Sequence, residues 1–269
     1  MNPATGELSG STKPLKIKVE QGGLSITNIA SKNDRYITNV YISDTDGADL
    51  YFHSSVAVGV SFVDIRKSHN DKHLIATLNM SEMIGGSIIQ PFNGRLYSAN
   101  DTVLWYSQPL RYGLLKKSSD FYLFASRITI VQPVDNGLYI VADKTYFLSG
   151  EDPSNIQLKE ISNLTAIEGT GLTLDTSNFA FDKVAPGRCA YWMSSQGAVV
   201  GLPSGRIIEY AKDRLAVPKD MVKGTSTYIE DDGIHRLVTS LDVLGGNRNN
   251  VGAGDNAVAT LIRNGIEIN

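Results

Sequence analysis

The histidines nearest one another, His69 and His73, are spaced i, i+4. On a helix that spacing sets two imidazoles on one face, as in a zinc site. The intervening Asn70-Asp71-Lys72 lacks the glutamate that a metalloprotease places there, and the segment sits in a charged run, so a solvated linker is the expected reading. Asp44-x-Asp46-Gly47-x-Asp49 has the oxygen-rich look of a calcium loop. Its glycine comes too early for an EF-hand and no bidentate Glu closes it, whereas a tight turn accounts for the same residues. Gly252-x-Gly254-x-x-Ala257 resembles a dinucleotide fingerprint but has no parallel strand before it and too little chain after it for a βαβ unit. The carboxylates Glu151-Asp152 and Glu230-Asp231-Asp232 could supply a glycosidase pair only if two of them faced each other across a cleft. Flanked by glycines, they read instead as turn residues. Cys189 lies in the apolar run Cys-Ala-Tyr-Trp-Met, the setting of a buried, inert thiol. No Gly-x-Ser-x-Gly elbow, phosphate-binding Gly-x-x-x-x-Gly-Lys loop or His-Glu-x-x-His occurs. No catalytic, cofactor-binding or metal-ligating residue is therefore assigned, and no cofactor is expected.

The elements that would have to position any such chemistry are strands. Twenty-five glycines and 12 tyrosines among 269 residues describe a chain that turns often and carries amphipathic aromatics. Residues 1–12 read as a flexible polar arm. From Leu15 apolar and charged residues alternate through Val19, the period-2 mark of a half-buried strand. Short runs follow at Leu24–Ile29, Tyr36–Ile42, Leu50–His53 and Val56–Val63, with Asp44–Gly47 as a hairpin turn, so residues 13–68 are expected to form a small antiparallel sandwich module. Residues 69–90, charged and then Gly85-Gly86, read as a linker with room for one short helix.

Beyond the linker the features recur. Asn93-Gly94-Arg95-Leu96-Tyr97-Ser98, then Asn100-Asp101, then Val103–Ser107, is matched by Asn136-Gly137-Leu138-Tyr139-Ile140-Val141, then Asp143-Lys144, then Thr145–Ser149. Gly94 and Gly137 lie 43 residues apart, inside the roughly 40–50 residues of a four-stranded propeller blade. Looser copies run through Cys189–Tyr210 and Ser226–Val238. The expected fold is thus all-β, the module at 13–68 followed by a propeller-like β-array of about four blades at 91–243. Residues 244–269 read as a Gly/Asn-rich loop and terminal strand.

Net charge −3, from 25 Lys+Arg against 28 Asp+Glu, gives no basic field for tight non-specific binding of nucleic acid. A single cysteine excludes an intrachain disulfide. Neither a secretory leader nor a membrane-length apolar run is read, so a protein made and kept in a cytoplasm, or released by lysis, is expected, with no membrane partner. The aromatics Tyr97, Trp105, Tyr106, Tyr139, Tyr146, Tyr191 and Trp192 allow two arrangements: packed between sheets, the expected one, or aligned on one face as stacking platforms for sugars or bases.

Asn93–Ser98, Val103–Leu110, Ile128–Val131, Gly137–Gly150 and Asp152-Pro153, taken in order, resemble the propeller region of tailed-bacteriophage virion structural proteins, including tail nozzle and tubular proteins. Tyr36–Asp64 is similar to the immunoglobulin or fibronectin-like part such proteins can carry. The resemblance implies a non-enzymatic component of the virion, in the tail or neck, assembled in the host cytoplasm. It implies a homo-oligomer whose partners are other tail or neck proteins and whose assembled channel passes DNA. The alternative is a carbohydrate-binding or host-attachment β-propeller module.

Overall fold

The computed structural model describes residues 1–29, 35–66, 73–150, 157–178, 186–210, 217, 221–231, 234–243, 257–262 and 265–268. Over these residues the protein is all-β and its sheets are antiparallel. The chain divides into two compact units, Met1–Met83 with Gly113–Ser119, and Ile84–Tyr112 with Asp120–Asn269.

The first unit holds β1 (Leu24–Thr27), β2 (Thr38–Ile42), β3 (Tyr51–Val56), β4 (Phe62–Ile65) and β5 (Ser81–Glu82). β1 pairs with β4 and β2 with β3, each a separate two-stranded sheet. The β2–β3 hairpin turns where the Asp/Gly cluster requires it: Asp46 takes φ +58° and the Gly47 N–H donates to the Asp44 carbonyl at 2.9 Å. Two readings of this region change. The apolar run Val56–Val63 is not one strand, because Gly59 (φ +80°) and the 3.1 Å bond from Val60 N–H to the Ala57 carbonyl turn the chain between β3 and β4. Leu15, Ile17 and Val19 alternate as a strand should, yet they join no sheet and lie exposed. Alternation supplies an apolar face, but a strand also needs a neighbour to bond its backbone.

The second unit is built from four four-stranded sheets that follow one another along the chain. β6 (Ile88–Phe92), β7 (Arg95–Asn100) and β8 (Val103–Tyr106) begin the first. The chain then enters the first unit, where β9 (Leu114–Leu115) pairs with β5, and β10 (Phe121–Leu123) completes the first sheet beside β8. β11 (Ile130–Val134), β12 (Gly137–Val141), β13 (Thr145–Ser149) and β14 (Gln157–Ser162) form the second sheet. β15 (Leu172–Asp175), β16 (Arg188–Ser194), β17 (Gly197–Gly201) and β18 (Ile207–Tyr210) form the third. β19 (Met221–Asp231), β20 (Ile234–Val243), β21 (Ala257–Ile262) and β22 (Gly265–Ile268) form the fourth. The four sequence recurrences fall one to each sheet.

Ladder register corrects the repeat by one residue. Gln90 pairs with Tyr97 and Pro91 with Leu96 in the first sheet, as Gln132 pairs with Tyr139 and Pro133 with Leu138 in the second. Ile88-Ile89-Gln90-Pro91-Phe92 therefore matches Ile130-Val131-Gln132-Pro133-Val134, and Arg95, not Gly94, stands where Gly137 does. Gly94 belongs to a two-residue turn with Asn93, both at positive φ, while Gly137 is already in its strand. Proline is tolerated in β6 and β11 because each has a ladder partner on one side alone.

With this register the two faces of each sheet have fixed addresses. Leu138, Ile140 and Leu148 of the second sheet meet Tyr97, Ala99, Leu104 and Tyr106 of the first. Tyr139, Val141 and Phe147, on the opposite face, meet Ala190, Trp192 and Val199 of the third. Tyr191, Met193, Ala198 and Val200 meet Leu237 and Leu241 of the fourth. Every residue of β12 is buried, since consecutive side chains point into two different cores. The inner strands β12 and β17 are covered on both faces, and that is why they read as continuous apolar runs.

Candidate functional site

The turns of the second unit gather around an open cleft of about 540 Å³. Asn93-Gly94 contributes the β6–β7 turn, Asp135-Asn136 the β11–β12 turn, Gly150 the end of β13 and Arg188 the start of β16, with Arg95, Phe92 and Tyr112 completing the wall. Residues of three successive sheets thus meet at one end, those of the first two by their hairpin turns and that of the third by the first residue of β16.

An ion pair orders the centre of this wall. Asp135 Oδ1 accepts from Arg188 Nε at 2.8 Å and Oδ2 accepts from the Arg188 backbone N–H, also at 2.8 Å. A Cβ on Gly187 would stand 2.5 Å from Asp135 Oδ2, so the absence of a side chain there is what admits the carboxylate. The Arg188 hydrogen bonds, side chain first and backbone second, hold the Asp135 carboxyl below its ordinary value. Arg95 is anchored differently: Nη1 donates to the Ser107 carbonyl at 2.8 Å and the guanidinium lies 5.7 Å from the Tyr106 ring centre. Among the described residues the cleft therefore offers two guanidiniums, two amides and two rings beside the Asp135 carboxylate. Such a lining can hydrogen-bond a hydroxyl-rich or anionic ligand.

The residues singled out in the sequence do not meet here. Asp44, Asp46 and Asp49 belong to the β2–β3 connection of the first unit. Glu230 and Asp231 end β19 on an exposed stretch, with Glu230 4.0 Å from His235 Nδ1. His69, Glu151-Asp152, Asp232 and the Gly252–Asn256 part of the fingerprint-like segment lie outside the described residues. Among the described residues no three His, Cys, Asp or Glu side chains come together as metal ligands, and no helix is long and apolar enough to cross a membrane. Cys189 is fully buried, and burial pushes its thiol up to about 12.

The aromatics separate into two groups. Tyr97, Tyr139, Tyr191 and Trp192 are wholly buried between sheets, the Tyr139 and Trp192 ring centres 5.5 Å apart. Trp105 is half-buried on the outward face of the first sheet, 5.3 Å from the Phe121 ring. Sequence reasoning missed both the cleft and the Asp135–Arg188 pair. The two residues are 53 apart and no local signal couples them. Comparison with protein-family models and with curated proteins finds no match.

Proposed function

We propose that this chain is a non-enzymatic structural component of a bacteriophage virion, placed in the tail or neck, whose second unit is a propeller-like array of β-sheet blades and whose first unit is an immunoglobulin-like module. One observation carries the reading: four consecutive four-stranded sheets stacked so that their faces bury one another. Stacked sheets of this kind are stiff, and each blade depends on its neighbours, which suits a part that holds shape within an assembly. The resemblance of residues 36–210 to virion propeller regions supplies the setting. In that setting the protein assembles as an oligomer with other tail or neck proteins, and a mildly negative chain lets DNA pass an assembled channel without adhering.

The reading is tested by imaging purified particles of the phage that encodes the chain, labelled with an antibody to it. Label at the tail or neck is expected. Intact particles without label would remove the virion assignment.

A carbohydrate-binding role is the second reading, and the cleft is the observation that favours it. Phe92 and Tyr112 supply rings, and Asn93, Asn136 and Arg188 supply hydrogen-bonding groups. Trp192 takes no part, being sealed between sheets. This reading expects binding on a glycan array to be lost in Tyr112→Ala and kept in Trp105→Ala; retention of binding in Tyr112→Ala would exclude the cleft.

A further inference from the structure

Three Asn-Gly pairs occur in the chain, and two of them, Asn93-Gly94 and Asn136-Gly137, sit on matched hairpins of the second unit. Asn264, of the third pair, lies outside the described residues. In an Asn-Gly pair the backbone nitrogen of the glycine can attack the asparagine side chain, because no Cβ shields it. The two hairpins hold that nitrogen differently.

Asn93 (φ +45°) and Gly94 (φ +69°) are the central residues of the β6–β7 turn, and Phe92 pairs with Arg95 to close it. Positive φ at both residues makes this a type I′ turn. The closing pair exchanges the backbone bonds, so the peptide between Asn93 and Gly94 takes no part in the ladder. The Gly94 carbonyl accepts from the Leu110 N–H at 2.7 Å, but among the described residues the Gly94 N–H has no acceptor. A flip of the central peptide converts type I′ into type II′ and keeps the pairing of Phe92 with Arg95. It requires of Gly94 only a change in the sign of φ, which glycine tolerates. The flip carries the Gly94 nitrogen round to the Asn93 side chain.

In the β11–β12 hairpin the dipeptide is displaced by one residue. Asp135 and Asn136 form the turn, and Gly137 is the closing residue opposite Val134. Its N–H belongs to that pair. Gly137 also faces Ser149 of β13 and is buried. For its nitrogen to reach the Asn136 side chain, a ladder bond must break and the end of a central strand must open.

We propose that Asn93 is a site of spontaneous deamidation through a succinimide in the folded protein, and that its hairpin protects Asn136. The Gly94 nitrogen gives its proton to hydroxide and bonds to Asn93 Cγ; the Cγ–Nδ2 bond breaks, and the amide nitrogen leaves as ammonia with a proton from water. Water then opens the imide. Cleavage of the new bond to Cγ leaves aspartate, and cleavage at the main-chain carbonyl of residue 93 leaves isoaspartate, with the backbone running through Cγ. In sum one amide and one water become one carboxylate and one ammonium ion, with no oxidant or reductant. The product adds a carboxylate to the cleft wall that carries Arg95, Asp135 and Arg188. The inference stands apart from both functional readings above, since it needs neither a partner nor a ligand.

The full chain, folded in mildly alkaline buffer and in parallel unfolded in urea at the same pH, is sampled over time, digested with trypsin and read by mass spectrometry. Trypsin separates the sites, placing Asn93 in residues 73–95 and Asn136 in residues 128–144. In the folded chain the acid is expected to accumulate at Asn93 about tenfold or more faster than at Asn136, with isoaspartate accompanying aspartate. In urea the two rates should converge, because the dipeptide is the same. Asn93→Gln, whose ring closure is far slower, should remove the change from its own peptide and leave the Asn136 rate as it was. A folded chain in which Asn93 reacts no faster than Asn136, a product at Asn93 without isoaspartate, or sites as unequal in urea as in the fold would each overturn the proposal.

Discussion

Trp192 and Trp105 look alike in the sequence and differ in what they touch. Trp192 is fully buried against Tyr139, and its Nε1–H finds no partner among the described residues. Trp192→Ala opens a cavity and is expected to cost about 3–5 kcal/mol in denaturant unfolding. Trp192→Phe also removes an orphaned donor and is expected to cost clearly less; equal losses would mean that the indole nitrogen is satisfied. Trp105→Ala, on the half-buried outward face, should leave the melting transition nearly in place. The buried protons make a second residue-scale prediction. Burial pushes the Cys189 thiol from its ordinary 9.0 up to about 12, and the Tyr191 phenol from 10.0 up to about 12 against a smaller lowering by its Thr239 hydrogen bond. From about pH 9 upward the unfolded chain releases protons that the folded chain keeps. Stability is therefore complete below pH 9 and falls as pH rises, through 9 to 12 for Cys189 and through 10 to 12 for Tyr191, by on the order of 1 kcal/mol per pH unit for each group. Melting temperatures at pH 8 to 11 check this: a flat profile contradicts it, and Cys189→Ala should make the decline shallower. At this scale the inertness of Cys189 was legible, because its neighbours in sequence are the residues of a buried strand.

Between elements, the close approach of the second and third sheets depends on a glycine and a phenol. A Cβ on Gly201 would stand 2.6 Å from the Tyr139 ring. The ring cannot retreat, because it is buried and its hydroxyl is bonded across the sheet boundary, 2.7 Å from the Leu202 carbonyl and 2.9 Å from that of Arg206. Gly201→Ala is accordingly expected to cost about 1–3 kcal/mol by overpacking. Tyr139→Phe should cost nearer 1 kcal/mol, since both carbonyls still accept backbone N–H groups, Leu202 from Gly205 and Arg206 from Leu202. Chemical denaturation of the two variants checks the order, and a larger loss for Tyr139→Phe would contradict it. The hairpins themselves were visible in the residues: Asn93-Gly94 and Asp44–Gly47 turn where glycine and aspartate make turning cheap. Their register was not, because anchoring the repeat on glycine hid the Gln-Pro match, and a one-residue slip exchanges the two faces of a strand.

For the molecule as a whole, burial is unequal between the units. The first contributes few buried apolar residues, Val56, Leu114 and Leu115 among them, on two-stranded pairs. The second carries three contiguous cores. Hydrogen exchange is expected to be slowest at the amides of β12, β16 and β17, central strands buried on both faces, and to be complete far earlier in β1–β4. Comparable protection in the two units would contradict this ordering. The amino-acid sequence by itself determined the strand character, the turn positions and the fourfold recurrence. Each is a local property, carried by period-2 patterning and by residues that tolerate positive φ. Tertiary structure alone decided which sheet face meets which, and that residues of three sheets line a cleft around Asp135 and Arg188. These depend on residues tens of positions apart arriving at the same place, and nothing in the local chain records that meeting.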